Sequence, residues 1–389
     1  MRADAVKTAH REIVRGENMK KANFTAGPAV LPRPVEEKLR RATHDFAGTG
    51  LPVWSISHRH PVVEKFCSDA TALVCELLKV PKGYSVMFVP GGATTQFKGW
   101  LLNIVGRKAL KIGYVDSGHW AGEAIKAARE LTEANFCTVH MLATSKEDMY
   151  RSLPADMFAH DSEVVCIHYT SNETVNGTQI KLDAIPDGRE VIRAADMTSD
   201  IMSRPVPVEK FGLIYAGVQK NLGVPGLALV IVRDDLLDAP HPALPAPLSY
   251  AEQKKANGGL RNTPDILAIA SVHYILEWIK EAGGVAEMEK RSRERAALLY
   301  DAIDHSDVFA CISAPADRSL MNVIFRVRNE HQHEKFMHAC EESDIVGING
   351  HAGANKYYGP HLRASLYNGQ TMENVQRLLE VMHKFERRF

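Results

Sequence analysis

Residues 214–226 read Ile214-Tyr215-Ala216-Gly217-Val218-Gln219-Lys220-Asn221-Leu222-Gly223-Val224-Pro225-Gly226. The apolar run Phe211 to Tyr215 has the length and composition of a buried strand, and Leu227 to Val232 has the same character. Between them, glycines at 217, 223 and 226 allow tight backbone turns around a single lysine. Lys220 is therefore expected in a short loop between two core elements and not on a solvated helix. Desolvation there favours the neutral amine, the form that makes an imine with an aldehyde cofactor or a carbonyl substrate.

Upstream, Val191 to Ala195 forms a second short apolar run that closes on Asp196. Open α/β sheets collect ligands at the carboxyl ends of their strands, so this aspartate is expected at a ligand-facing edge. A strand-end aspartate also serves as a helix cap or turn former. Together, Asp196 and Lys220 are the two groups that pyridoxal 5'-phosphate requires: a carboxylate that keeps the ring nitrogen protonated and an amine that carries the aldehyde.

Further strands are expected at Ser85 to Val89, Lys111 to Val115 and Val164 to Tyr169, with a helix over Gln96 to Val105 and another opening near Gly118-His119-Trp120. Strands and helices are thus read as alternating from about 85 to 235, which makes the fold α/β with a mainly parallel, doubly wound sheet. Pro90-Gly91-Gly92-Ala93-Thr94-Thr95 lies between a strand and a helix amino terminus, which suits either a phosphate cup or a plain capped turn. Trp120 reads as a core anchor or as a ring-stacking residue. Helices are also expected from Pro32 or Pro34 to about Thr43, from Pro61 onward, over Ile266 to Lys280 and Val285 to Ile303, and at Met372 to Phe385.

The chain has 389 residues, with 47 basic and 47 acidic side chains. That balance provides no field for nucleic acid or an anionic membrane, and no apolar run approaches the ~18 residues of a spanning helix. Small-molecule partners are expected. The six cysteines are scattered without a CxxC pair, as free thiols in a reducing, cytoplasmic compartment would be. His58 and His60 flank Arg59, but no acidic or cysteine ligand stands nearby, and His333-Glu334 with His338 has the wrong spacing for HExxH; no metal site is expected. Residues 1–18 lack the apolar core of a secretion signal.

The series NFTAGPAVLP, ISHR, PGGATTQF, DSGHW, HYTSNETVNG, ADMTSDIMSRP, IYAGVQKNLGVPGL, NTPD and LRASLYN, in this order, resembles the phosphoserine aminotransferases, pyridoxal-phosphate enzymes of fold type I in the class V aminotransferase group. The resemblance runs from Asn23 to the carboxyl terminus. It implies a large cofactor-binding domain over residues 35–275, a smaller α+β domain from 23–34 and 276–389, and an amino-terminal extension over 1–22, a candidate for disorder. Lys220 would hold the cofactor and Asp196 its ring nitrogen. Trp120 would stack on the ring, Thr174 would bond the ring hydroxyl, and Ala93, Thr94 and Gln219 would hold the phosphate. Asn262 and Thr263 would reach the phosphate from the other subunit of a homodimer with shared active sites.

For the substrate, the resemblance implies Thr25, the pair His58 and Arg59 from across the dimer, His351, and Arg363 as a fork on the α-carboxylate; Lys356, in an insertion-like segment 355–358 that departs from the family, is a further candidate. The implied reaction is glutamate with 3-phosphohydroxypyruvate, in serine biosynthesis. One departure stands out: the family's Gly-His-Arg segment reads Gly350-His351-Ala352 here. Loss of an arginine from a dianion site costs on the order of 1.5–3 kcal/mol. Lys356 or His60 is the expected replacement, and the alternative is an aminotransferase for a different anionic 2-oxo acid, a carboxylate, sulfonate or phosphonate analogue.

Overall fold

The short apolar runs form one seven-stranded sheet: β1 (Tyr84–Pro90), β2 (Leu110–Asp116), β3 (Cys137–Thr144), β4 (Val164–Thr170), β5 (Ile192–Asp196), β6 (Leu213–Gly217) and β7 (Leu227–Arg233). The computed structural model describes residues 21–104, 110–133, 136–238, 240–242 and 244–388. In space the strands run β1-β7-β6-β5-β4-β2-β3. Every neighbouring pair is parallel except those that involve β7, which is antiparallel to both β1 and β6. Six strands therefore point one way, and Pro90, Asp116, Thr170, Asp196 and Gly217 end at a common edge. Because β7 reverses, the 218–226 connection is a hairpin-type loop with both ends on that edge, where Pro90 pairs with Leu227 and Gly217 with Ala228.

The helices are α1 (Arg33–Ala42), α2 (Pro61–Leu77), α3 (Ala93–Ile104), α4 (His119–Glu133), α5 (Tyr250–Lys255), α6 (Ile266–Glu281), α7 (Gly284–Asp304), α8 (His333–Glu342), α9 (Asn355–Tyr358) and α10 (Met372–Glu386). Phe97, Trp100, Ala124 and Ala128 of α3 and α4 pack on one sheet face with Tyr114, Ala194 and Tyr215. Val74 of α2 and Ile269, Val272 and Leu276 of α6 pack on the other face with Phe88, Ala195 and Ile231. With both faces covered, the strands read as continuous apolar runs and not as alternating ones. A second, antiparallel sheet, β8 (Phe309–Cys311), β9 (Asn322–Val327) and β10 (Leu362–Ser365), has the order β10-β9-β8. Its core includes Phe24, Leu299, Phe309, Phe325, Phe336, Leu378 and Phe385.

Five features differ from the sequence reading. Ala22, assigned to the extension, is buried and pairs with Ile345, so the fold has begun by that residue; positions 1–20 of the extension lie outside the described residues. Strand β3 was not anticipated, because this edge strand is mostly half-buried and carries Thr138 and His140 among its apolar residues. Helix α3 begins at Ala93 and not at Gln96, so Ala93, Thr94 and Thr95 form its first turn; Val105, the end expected for it, lies outside the described residues. Helix α5, between the proline-rich stretch 240–247 and Asn262, is a further helix that the sequence reading did not include.

The fifth is that strict strand–helix alternation stops after β4, since only single 3-10 turns lie between Thr170 and Leu227. Within those connections residues 171–180 and 197–203 are buried, and polar side chains satisfy them in place of a helix ladder. Asn172 Nδ2 donates to Ser199 Oγ at 2.8 Å and to Asn322 Oδ1 at 2.9 Å, and Ser171 Oγ donates to Asp200 Oδ1.

Candidate active site

Three strand-end segments meet at the polar edge. Asp196 closes β5 and is buried, and its Oδ1 accepts the Thr198 N–H at 2.9 Å. Thr198 Oγ1 accepts the Gly217 N–H at 3.1 Å, which ties the ends of β5 and β6 together. Burial pushes the Asp196 carboxyl above its ordinary value, against the pull of Thr198 and Lys220. Gly217 is a point of close approach: a Cβ there would stand 2.5 Å from Gln219 Oε1 and 3.2 Å from the Ala93 nitrogen. Only glycine lets the strand end, Gln219 and the start of α3 converge.

Lys220 is buried in the loop between β6 and β7, and its Nζ donates to Thr174 Oγ1 at 2.6 Å. The amine also faces two rings, Trp120 at 5.8 Å and Tyr367 at 6.0 Å from the centroids. Gly27, from the amino-terminal segment, covers the lysine stem; a Cβ on it would lie 3.5 Å from Lys220 Cγ.

Two helix amino termini open onto this edge, and they differ. The first turn of α4 is filled by protein: Glu173 Oε2 accepts from Trp120 N at 3.0 Å, Glu173 Oε1 from Ala121 N at 2.8 Å, and Asn176 Oδ1 from His119 N at 2.9 Å. Burial pushes Glu173 up to about 7 despite those two N–H donors. Among the described residues, no side chain caps α3 in this way. Its Ala93 and Thr94 N–H groups belong to the first turn, which has no intrahelical acceptor. Thr94 is exposed, and Gln219 stands beside this end across Gly217. That is the donor set of an anion site.

These groups fit pyridoxal phosphate. A buried amine, a buried carboxylate without a cationic partner in hydrogen-bond contact, an aromatic face and a vacant helix amino terminus match the aldehyde, ring nitrogen, ring and phosphate respectively.

Beyond Tyr367 lies a cationic group. The Arg363 Nε is buried without a hydrogen-bond partner, and burial lowers this guanidinium from its ordinary value. His351 donates its N–H to His361 Nε2 at 3.2 Å, and its ring stands 4.5 Å from that of His119. Lys356 is exposed, with Nζ 4.9 Å from the Tyr357 ring. Among the described residues, none of Arg363, His351 and Lys356 is ion-paired with a carboxylate.

The other expected site residues make no hydrogen bond to Lys220 or Asp196 among the described residues. His58 is half-buried and Arg59 exposed in the turn before α2. Asn262 and Thr263 are exposed, with Asn262 at φ +64°. Thr25 is engaged with Asn23, its N–H donating to Oδ1 at 2.9 Å. His60 is not a spare charge: its Nδ1 accepts the Val62 N–H at 3.2 Å and so caps α2. The sequence reading missed Glu173, Tyr367 and the side chain of His119. Glu173 and Tyr367 lie inside quoted motifs, but their partners are distant in the chain, and local spacing carries no signal of that.

Residues 22–378 match the family described as Aminotransferase class-V. Phosphoserine aminotransferase of Porphyromonas gingivalis is 40% identical over 370 residues, 95% of this chain and 99% of the relative, and that of Bacillus cereus is 36% identical over 365 residues, 94% and 98%. The solved phosphoserine aminotransferase of Bacillus circulans subsp. alkalophilus superposes with a TM-score of 0.88 at 37% identity, covering 95% of this chain and 99% of that one. The pyridoxal-phosphate-bound enzyme of Trichomonas vaginalis gives 0.86 at 31% identity, covering 93% and 99%. The chain therefore belongs to the class-V aminotransferases, pyridoxal-phosphate enzymes of fold type I that pass an amino group between an amino acid and a 2-oxo acid.

Proposed function

We propose that the chain transfers the amino group of glutamate to 3-phosphohydroxypyruvate, giving O-phosphoserine and 2-oxoglutarate in cytoplasmic serine biosynthesis. The observation that carries this reading is the pair of cations Arg363 and Lys356, without a carboxylate partner among the described residues and with the His351 imidazole near them, suited to a substrate with an anion at each end. Relatives at 36–40% identity that are named phosphoserine aminotransferase support it.

When bound, pyridoxal phosphate supplies the carbonyl that takes up the amino group and a ring that delocalises the electrons left on the substrate α-carbon. Lys220 Nζ carries the α-proton between carbons as base and then acid. Asp196 would keep the ring nitrogen protonated. Trp120 would stack on the ring, Thr174 would bond the ring hydroxyl, and Ala93, Thr94 and Gln219 would hold the phosphate. Arg363 forks onto the α-carboxylate, a bidentate contact that lysine does not reproduce. Thr25, His351 and Lys356 line the remainder of the substrate site.

In the same reading a homodimer completes each site, with His58, Arg59, Asn262 and Thr263 reaching it from the other subunit; the exposure of Arg59, Asn262 and Thr263 supports this. The chain divides into a large unit, 35–275, and a small one, 23–34 with 276–389; the second core's use of Phe24 together with residues from 296 onward supports the small unit, while Leu276, Ile279, Val285 and Met288 pack in the large core and carry it past residue 275.

The test is an acceptor screen. With glutamate as donor, 3-phosphohydroxypyruvate should give the highest kcat/KM among phosphorylated and unphosphorylated 2-oxo acids. A preferred unphosphorylated acceptor overturns the reading.

A further inference from the structure

His119 opens α4, and its side chain has no part in the roles assigned above. Its position is fixed from below. Asn176 Oδ1 accepts the His119 N–H at 2.9 Å, while Asn176 Nδ2 donates to Tyr358 Oη at 2.7 Å, and that hydroxyl donates to Met149 O at 2.7 Å. One buried amide thus locks α4 to α9. It sets the distance between the His119 imidazole and the 351–356 segment.

The two histidine rings stand 4.5 Å apart, inclined at 47°, and the Trp120 ring packs edgewise on His119 at 5.0 Å. The backbone at Gly353 passes beside the pair: its N–H donates to His351 Nδ1 at 3.2 Å, so that this ring nitrogen is an acceptor and His119 is the imidazole left to take a proton, and a Cβ on Gly353 would lie 3.9 Å from His119 Cε1. The charged groups that face His119 are Glu123 on its own helix, His351, Lys356 of α9 and Arg363 of β10. Glu173, beneath the helix, is already taken up by two N–H groups. Burial, then His351, holds His119 below its ordinary value, with Glu123 pulling the other way; burial, then Arg363, does the same to His351. Two neutral imidazoles beside a lysine and an arginine form a site that gains charge only when an anion enters.

We propose that His119 is a substrate-binding residue that, paired with His351, grips the distal anionic group of the acceptor and takes up a proton as it does so. The pair thereby supplies by titration a charge that Ala352 does not. This rests on the acceptor being phosphorylated. The sign follows from linkage: the free pair sits below its ordinary value and a bound dianion raises it, so binding consumes a proton and weakens as pH rises.

Calorimetry of inorganic phosphate binding to the holoenzyme, in buffers of different ionisation enthalpy at pH 7.5, counts the protons. About one should be taken up by wild type and close to none by His119→Gln, with His351→Gln as an independent second variant. In steady state, His119→Gln should raise KM for 3-phosphohydroxypyruvate on the order of tenfold, the loss of one charge-assisted hydrogen bond, and should move KM for glutamate less. It should also flatten the rise of the former with pH between about 6.5 and 8.5, above the second ionisation of a phosphate monoester near 6. Unchanged proton uptake and an unchanged pH slope in His119→Gln overturn the proposal, as does phosphate binding without proton uptake by a wild type that still prefers the phosphorylated acceptor. A wild type without that preference overturns the acceptor reading itself, and this proposal with it.

Discussion

Lys220 Nζ lies 2.6 Å from Thr174 Oγ1, a contact that fastens the loop between β6 and β7 to the segment following β4. The antiparallel turn of β7 holds the lysine at the edge, and the threonine aims it, so a single buried bond spans two of the three strand ends that make the site. Lys220→Ala should abolish both turnover and the cofactor adduct that borohydride fixes to the protein. Thr174→Val leaves the amine without its partner and should keep the adduct while slowing turnover. Retention of full turnover by Lys220→Ala would show that the amine has no catalytic part.

Asp196 is the opposite pole. Its carboxylate is held by Thr198 and pushed upward by burial, a penalty that a protonated ring nitrogen beside it would relieve. Asp196→Asn keeps the shape but not the charge. It should retain the fold and much of the cofactor while lowering kcat by about a hundredfold or more, the scale set by removing one preorganised electrostatic contact. An unchanged kcat sinks the role.

Glu173 makes a prediction about pH and stability. Burial raises it to about 7 from an ordinary 4.5, so the folded chain keeps a proton that the unfolded chain has released over that interval. Stability should therefore fall as pH rises from 4.5 to 7, by about 3 kcal/mol at most from this group, and level off above. Glu173→Gln removes the titrating group. The urea midpoint of the cofactor-free protein should then depend less on pH than in wild type; identical pH profiles would exclude the effect.

How much of this was legible in the sequence follows from the range of the interactions. Asp196 and Lys220 could be read because each closes or follows an apolar run, and a buried strand is a local pattern. Strand β3 and the helix-free path from Thr170 to Leu227 could not, because the first is a half-polar edge and the second is held by side-chain bonds such as Asn172 to Asn322, 150 residues apart. His60 looked like a free charge beside Arg59, and only its bond to the Val62 N–H shows it spent as a helix cap. Glu173 sits in a quoted motif, yet its partners, Trp120 and Ala121, come from another helix.

Exposure of Asn262 and Thr263 is what a site shared between subunits requires. Protomers carrying Lys220→Ala should be inactive, as should those carrying Asn262→Ala with Thr263→Ala to the extent that the phosphate contact is needed. Mixed and allowed to exchange, they should recover activity, because half of the sites in each heterodimer regain both elements. No recovery after confirmed exchange rules out sharing.

The last prediction concerns Ala352. It is exposed, opens the 3-10 turn that follows His351, and so stands where a long side chain could reach the same anion as the histidine pair. A guanidinium stays charged throughout this range, whereas His119, held below its ordinary value when free, gains charge only as the anion enters. Ala352→Arg should lower KM for the phosphorylated acceptor on the order of tenfold, the worth of one charge-assisted hydrogen bond, and more at pH 8.5 than at pH 6.5, where the histidines already supply charge. KM for glutamate should change less, since its side chain presents a monoanion. Should the gain be equal at both pH values, the imidazoles contribute no titrating charge. Should wild type favour an unphosphorylated acceptor and the arginine switch it to the phosphorylated one, the site was never set for phosphate, and the acceptor assigned above is wrong while Lys220 and Asp196 keep their roles.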